Sequence, residues 1–470
     1  MATQGEQQQQ LRSLSGETLT WNGDVIAAAK AATGKEGTYN ECLIALLQWI
    51  LGSTNTNLNG LYAEFRNRTG ANYPFVGADG TQLNGAPPFS IFSRNTNATF
   101  VNDEGLIEEV GADVLRVQYN PVTLEQLGWL IEGQRADLIT YNAANTDWSK
   151  VRCTVTENYA PDLFGGNTAQ KIVEDTSSST SHYYQSKSFA HTSGQKYCYW
   201  GVFEADDRSK VWIDFSDTIF GSASTCYFDL ITGAVTSQFS GIDAAGVILM
   251  GNNRYLCWAT DTATSSGTAG AVFGLAVTDG VSGYTGNGTA GVIFYGAQAE
   301  IGTFPSSLIV TGATSVIRDA DELKIPLSSV AGWQDGVSFS ARYKGISAPG
   351  IGSSPQYLAT IDDGTTSNVI AVYRGADNYI YLNVVDGGVT QATVQGPQVI
   401  GSHTVDVEIT VIEDDISMSV SVDDGAAVTY GPDTSGTIPT GLTDLVIGNR
   451  SDMARAWFGV VSSYQIKALP

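Results

Sequence analysis

The sequence predicts a mainly β protein, with a small N-terminal helical module ahead of two β-sandwich domains. Three observations point there. Charged residues make up only 15% of the chain, against about 25% in ordinary globular proteins, so the polar surface is built from Ser, Thr, Asn, Gln and Gly. Glycine is abundant at 52 residues, which suits many tight turns. Short aromatic and β-branched runs, each bounded by turn residues, recur from residue 139 to the C-terminus.

The 470 residues allow about three domains at the usual ~150 residues each. A hydrophobic content of 42% argues against disorder. The charge sum is 24 − 48 = −24, with a pI near 4.3. With no long basic run, this excludes nucleic-acid binding by counterion release. Five cysteines form no CxxC, and their odd number supports neither a zinc site nor a disulfide framework. Cys198 and Cys257 lie in strand-like runs and read as small core hydrophobes. The opening "MATQGEQQQQ" is polar and unlike a signal peptide. The longest apolar cluster, "CLIALLQWIL", falls well short of the ~20 residues that span a bilayer. The expectation is a chain made in a cytoplasm, without membrane insertion.

Residues 1–70 read as a polar arm and a helical docking module. In "TYNECLIALLQWILG", Thr38 and Glu41 have capping-box spacing, Gly52 is placed as a C-cap, and Leu43, Ile44, Leu47, Ile50 and Leu51 form one stripe. So small a bundle has a marginal core and is expected to lean on a neighbour. Residues 71–138 read as a polar connector carrying a β-hairpin. Thr96, Thr99, Phe100 and Val101 suit a strand, Asn102 to Gly105 a turn, and Leu106 and Ile107 the start of the return strand. Residues 139–322 read as a jelly roll, with strands such as "KYCYWGVFEA", "SKVWIDFS" and "GVIFYGAQAEI". Residues 323–470 read as a second sandwich with hairpin turns at "DNY", "DGG" and "DDG".

Catalytic chemistry is thinly represented. His182, His191 and His403 are the only histidines, no GxSxG elbow occurs, and all three read as surface or turn residues. Asp406 and Glu408 share one strand face, in principle a pair for glycoside hydrolysis, but an ordinary solvated face is the better account. The acidic turns "TIDDGTTSN" and "SVDDGAAV" lack EF-hand spacing, so neither metal nor cofactor is expected. Aromatic side chains carry the most promising chemistry, because sugars rest flat C–H faces on exposed rings. Tyr379 and Tyr381 lie two apart on one strand face, and Trp333, Tyr343, Tyr373 and Trp457 belong to the same block. These six are the candidate carbohydrate-binding residues, with most of them expected in the core.

Several phrases, taken together, carry a resemblance. "FSRNTNAT" from Phe92 to Thr99 is followed by "LIEGQRADL" from Leu130 to Leu138, then "WSKVRCTVT" from Trp148 to Thr156, and finally "YGAQAEIGTFPSSLIVTGATSVIRDADEL" from Tyr295 to Leu323. This series resembles a segment of tail-fibre, head-fibre and other receptor-facing structural proteins of bacteriophages. Asp137 stands where that family usually has Asn. The last block, most clearly in "DLVIGNRSDMARAWFGVVSSYQI", resembles the concanavalin-A-like lectin and glucanase sandwich, without the glucanase E-x-D-x-x-E motif. The resemblance implies a non-enzymatic virion protein. Residues 1–70 would dock it on other virion proteins, and a homo-oligomer, most often a trimer in such fibres, would hold host surface polysaccharide by multivalent contact. It leaves two alternatives open: a decoration protein that only stabilises the shell, and a tailspike-like polysaccharide depolymerase.

Overall fold

The computed structural model describes residues 90–142, 147–330, 333–336, 338–349 and 354–469, together with the strands Phe75–Val76 and Gln82–Leu83. The chain divides into two compact units, Met1–Pro88 and Phe89–Pro470. In the first, Phe75–Val76 pairs antiparallel with Gln82–Leu83. The expected helical module of residues 1–70 lies outside the described residues. Among the described residues no helix is long and apolar enough to cross a membrane.

The second unit is built almost wholly of antiparallel sheets packed as two sandwiches. One is formed by residues 149–301. Its first sheet runs Cys153–Ala160, Ala169–Glu174, Gly291–Ile301, Lys196–Ala205, Arg254–Thr262, Ala244–Leu249. Its second runs Ala234–Gln238, Thr225–Asp229, Lys210–Asp214, Val272–Ala276, Thr180–Gln185, Gly283–Tyr284, with Ser149–Val151 also paired to Thr180–Gln185. The strand Lys196–Ala205 is buried on both faces over most of its length. Tyr197, Tyr199 and Phe203 face the opposing sheet in the main core. Cys198, Trp200 and Val202 lie under a second layer that includes Leu163, Tyr295 and Leu308. A strand covered on both sides can be a continuous apolar run. Gly274 is required by packing, since a Cβ there would lie 2.0 Å from the Trp212 ring. Cys153, Cys198, Cys226 and Cys257 are free and buried.

The other sandwich is discontinuous in sequence. Its first sheet runs Ile91–Ser93, Glu322–Pro326, Asp444–Ile447, Gln356–Asp362, Val369–Arg374, Tyr379–Asp386, Val389–Gln398. Its second runs Val428–Asp433, Asp415–Val422, Thr404–Ile412, Phe339–Ile346, Gly459–Ala468, Gln126–Ile131, Val117–Tyr119. Strands such as Phe339–Ile346 and Thr404–Ile412 alternate buried and exposed positions, as a sheet with one solvated face must. The hairpin turns form at the expected places, with Asn378, Gly387, Gly388, Asp423 and Asp424 all at positive φ.

Here the structure differs from the expected boundaries. Segments read as connector supply three strands of this sandwich, and the residues around 322 supply a fourth. Trp129 faces Val461, and Leu323 lies between Phe92 and Ile447. The residue 149–301 sandwich is therefore an insertion within the other one. The hairpin at Ala98–Val101 and Ile107–Val110 forms with Gly105 at φ 75°, and the Asn102 side chain accepts from the Glu104 and Leu106 amides. It ties to the inserted sandwich where the Ile107 amide donates to the Leu163 carbonyl at 2.7 Å.

A buried polar network lies where the chain passes between the two sandwiches. Asp321 accepts from Arg94 at 2.9 Å and from Arg116 at 2.5 Å. Glu132 accepts from Arg116 at 2.8 Å and lies 2.8 Å from the Arg318 guanidinium. The Ser307 hydroxyl donates to Glu132 at 2.7 Å and accepts from Arg116 and Arg318. These charged side chains are at most 4% exposed. Burial pushes the Glu132 carboxyl up, but Arg318 and Arg116 beside it, with two hydrogen bonds from Ser307, outweigh that and hold it at about 2. Nearby, Asp137 accepts from the Ile139 and Ala299 amides and from the Asn142 side chain. The phrases quoted above thus supply an interior junction: Arg94 from the first, Glu132 and Asp137 from the second, Ser307, Arg318 and Asp321 from the last.

Candidate functional site

The six aromatic candidates separate into interior and surface. Tyr343 is 1% exposed and Trp457 is 0% exposed, with the Trp457 indole N–H donating to the Ile346 carbonyl at 2.8 Å. Both are core residues, so no sugar can rest on them; each sits on the inward side of its strand or loop, which the local pattern did not disclose. Trp333 is partly buried with its ring 5.3 Å from Phe339. Tyr373, Tyr379 and Tyr381 do share the outer face of one sheet, where alternate residues Ile380, Leu382 and Val384 point into the core.

That face carries a tyrosine ridge that includes a residue sequence reasoning missed. Tyr357, Tyr373 and Tyr381 lie directly opposite one another on three adjacent strands. Their rings stack at 4.9 Å and 5.3 Å, with planes 22° and 20° apart. Tyr373 therefore has a neighbouring ring against each face and offers only its edge. Tyr379 has no aromatic ring against it among the described residues, and stands two residues before Tyr381 on the same face. Polar groups rim the ridge. The Tyr381 hydroxyl donates to Asp377 at 2.8 Å, and this bond, chiefly, pushes its phenol up to about 12. The Asn383 side chain stands beside Tyr373, and Arg450 lies 5.6 Å over the Tyr357 ring. Gly375 is pressed beneath Tyr381, where a Cβ would lie 2.9 Å from the ring. The row thus combines apolar ring surface with amide, carboxylate and phenol groups, which suits a polyhydroxylated ligand.

A groove of about 820 Å³ opens between the two sandwiches. The loop running from Gly448 to Trp457 borders both features: Arg450 lies over the ridge, while Met453 to Ala456 line the groove.

The carboxylates and histidines have ordinary structural partners. Asp406 is held by a bidentate pair with Arg342 at 2.8 and 2.7 Å, and Glu408 faces Arg342 across the strands. Asp362 lies opposite Asp444, and burial raises its pKa, but it is 0% exposed and held by Thr360 and the Gly364 amide. His182 and His191, expected at the surface, are buried: His182 bonds the Arg152 carbonyl, and His191 bonds the Tyr199 hydroxyl, with burial lowering His191 to about 4. Both occupy aromatic clusters that the strand pattern alone does not reveal. His403 is partly exposed and paired with Asp423. Among the described residues no group of three or more His, Cys, Asp or Glu is arranged to hold a metal.

No family model matches the chain, and no curated protein matches it. Among solved structures it is similar to the Ruminococcus gnavus IT-sialidase CBM40, at 10% identity and TM-score 0.24, over 29% of this chain and 79% of that one. It is also similar to domains LG4-5 of the mouse laminin alpha1 chain, at 9% identity and TM-score 0.20, over 74% and 92%. A GH43 protein from Bacillus licheniformis, BlXynB, gives 10% identity and TM-score 0.22, over 82% and 100%. Likenesses this slight assign neither family nor activity.

Proposed function

We propose that this chain is a glycan-binding structural protein that holds a surface polysaccharide on the outer face of its discontinuous sandwich. The observation that carries this reading is the ridge of Tyr357, Tyr373 and Tyr381, with Tyr379 beside it and Asp377, Asn383 and Arg450 at its rim. Tyr379 and Tyr381 supply ring surface, and the rim groups bond sugar hydroxyls. The setting we infer is a receptor-facing appendage of a bacteriophage virion, supported by the sequence phrases from Phe92 to Leu323. In that setting residues 1–70 dock on other virion proteins, and a trimer multiplies a weak single-site affinity. In this reading binding takes place without cleavage: of the acidic residues nearest to forming a pair, Asp406 is bound to Arg342 and Asp362 is fully buried. The test is to pass the full chain over immobilised bacterial surface polysaccharide, then measure retention and released oligosaccharide. Retention without release supports the reading; release of defined oligosaccharides overturns its non-enzymatic part.

A further inference from the structure

The groove between the sandwiches carries chemistry that the ridge does not explain. Its volume of about 820 Å³ falls in the ~300–1,000 Å³ range of small-molecule sites. Arg135 forms part of its floor. The guanidinium is fixed from behind by Glu300, with Nε 3.2 Å from Oε2, and lies 4.4 Å over the Phe458 ring and 5.5 Å over Phe304. Its two Nη groups carry no hydrogen bond among the described residues, and the side chain is 16% exposed. Gly302 leaves the approach open, since a Cβ there would lie 3.0 Å from Arg135 Nη2.

Arg455 lines the same groove from the other sandwich. Its backbone is held at both ends: its amide donates to Asn449, and its carbonyl accepts from the Tyr357 amide at 3.0 Å. Its guanidinium carries no hydrogen bond among the described residues. Asp243, a carboxylate on the wall, is already engaged by Lys196 at 3.0 Å and by the Thr262 hydroxyl at 2.7 Å. In a chain with 24 Lys and Arg among 470 residues and a net charge of −24, three cations on one groove run against the surface average. The repulsion from the rest of the protein is screened beyond about 8 Å at physiological salt.

We propose that this groove is a second ligand site, separate from the tyrosine ridge, and selective for a saccharide unit that bears a carboxylate. The planar, pre-positioned fork of Arg135 matches a carboxylate in two parallel hydrogen bonds. Arg455 supplies a second cation, and the partly exposed Phe458 gives the sugar ring an apolar surface beside the charge. The saccharide class rests on the glycan reading above; the anion selectivity rests on the groove alone.

The experiment is a ligand-observed NMR titration of the full chain with D-glucuronate and with D-glucose. A charge-assisted bidentate contact predicts binding of glucuronate at least about tenfold tighter than glucose. Arg455→Gln should weaken glucuronate binding about fivefold or more by the same reasoning, while Arg342→Gln, a charge-matched change on an exposed outer face, should leave it unaltered. Equal affinity for the two sugars, no glucuronate binding, or indifference to Arg455→Gln would overturn the proposal. Failure of the ridge reading shows instead in polysaccharide retention, which these monosaccharide titrations do not measure.

Discussion

The Asp321 carboxylate sits 2.9 Å from the Arg94 guanidinium across 227 residues of sequence, with neither side chain exposed. Between them in the chain lies the whole inserted sandwich. The pair, with Arg116, Glu132 and Arg318, closes the point where the chain leaves one sandwich for the other and returns.

Removing one member of this network should therefore be severe. Asp321→Ala leaves Arg94 buried without its counter-ion and Arg116 with Glu132 alone, and the expected loss is about 3–5 kcal/mol. Asp406→Ala, which breaks the half-exposed pair with Arg342, should cost about 1 kcal/mol or less. Urea unfolding of the two variants checks the contrast, and similar losses would contradict it.

Acid should weaken the junction from a defined side. Glu132 is held at about 2 in the folded chain against an ordinary value of 4.5. Its contribution is complete above about pH 4.5 and is lost as pH falls through about 2, a difference on the order of 3 kcal/mol. Asp214 has the opposite sign. Burial first, then nearby Asp217, raises it to about 6, outweighing the lowering hydrogen bond from Thr225. Its contribution is complete below its ordinary value of 3.8 and is lost as pH rises through about 6. Stability measured against pH should show a shallower acid limb in Glu132→Gln and a smaller loss between about pH 4 and 6 in Asp214→Asn, where Asp261, also raised to about 6, keeps part of that loss.

The discontinuous sandwich makes a prediction about fragments. Residues 323–470 lack Ile91–Ser93, Val117–Tyr119 and Gln126–Ile131, and cut into Glu322–Pro326. That fragment exposes the edges left by those strands and should aggregate, whereas residues 89–470 should unfold cooperatively. Circular dichroism and gel filtration decide it; a monomeric, cooperatively folded 323–470 fragment would count against the topology.

Interior and surface aromatics should respond differently. Trp457→Ala and Tyr343→Ala empty fully buried positions and should cost about 3–5 kcal/mol each. Tyr379→Ala, on the outer face, should change stability by about 0.5 kcal/mol or less. Thermal and denaturant unfolding test this directly.

Much of the fold is local and was legible. The opening hairpin follows from Asn102 to Gly105, and the later turns follow from Asp-Gly and Asp-Asn pairs. The shared face of Tyr379 and Tyr381 follows from strand alternation. The pairing of Trp129 with Val461 is not local; it is set by which sheet edge is free, and no nearby residue encodes that. The ridge partner Tyr357 was missed for the same reason: its place opposite Tyr373 depends on a register with a bulge between Tyr357 and Ala359. Trp457 was a candidate only as an aromatic of the last block, and the indole turns inward to the Ile346 carbonyl. The quoted phrases marked conspicuous residues, and Arg94, Glu132 and Asp321 owe that to an interior charge network.

The most direct test of the central claim compares polysaccharide retention by the full chain with that of a Tyr379→Ala/Tyr381→Ala variant. If the ridge holds the glycan, the variant keeps its unfolding midpoint while its affinity falls about tenfold or more, as for truncation of aromatic anchors. Undiminished retention by the folded double variant would contradict the claim.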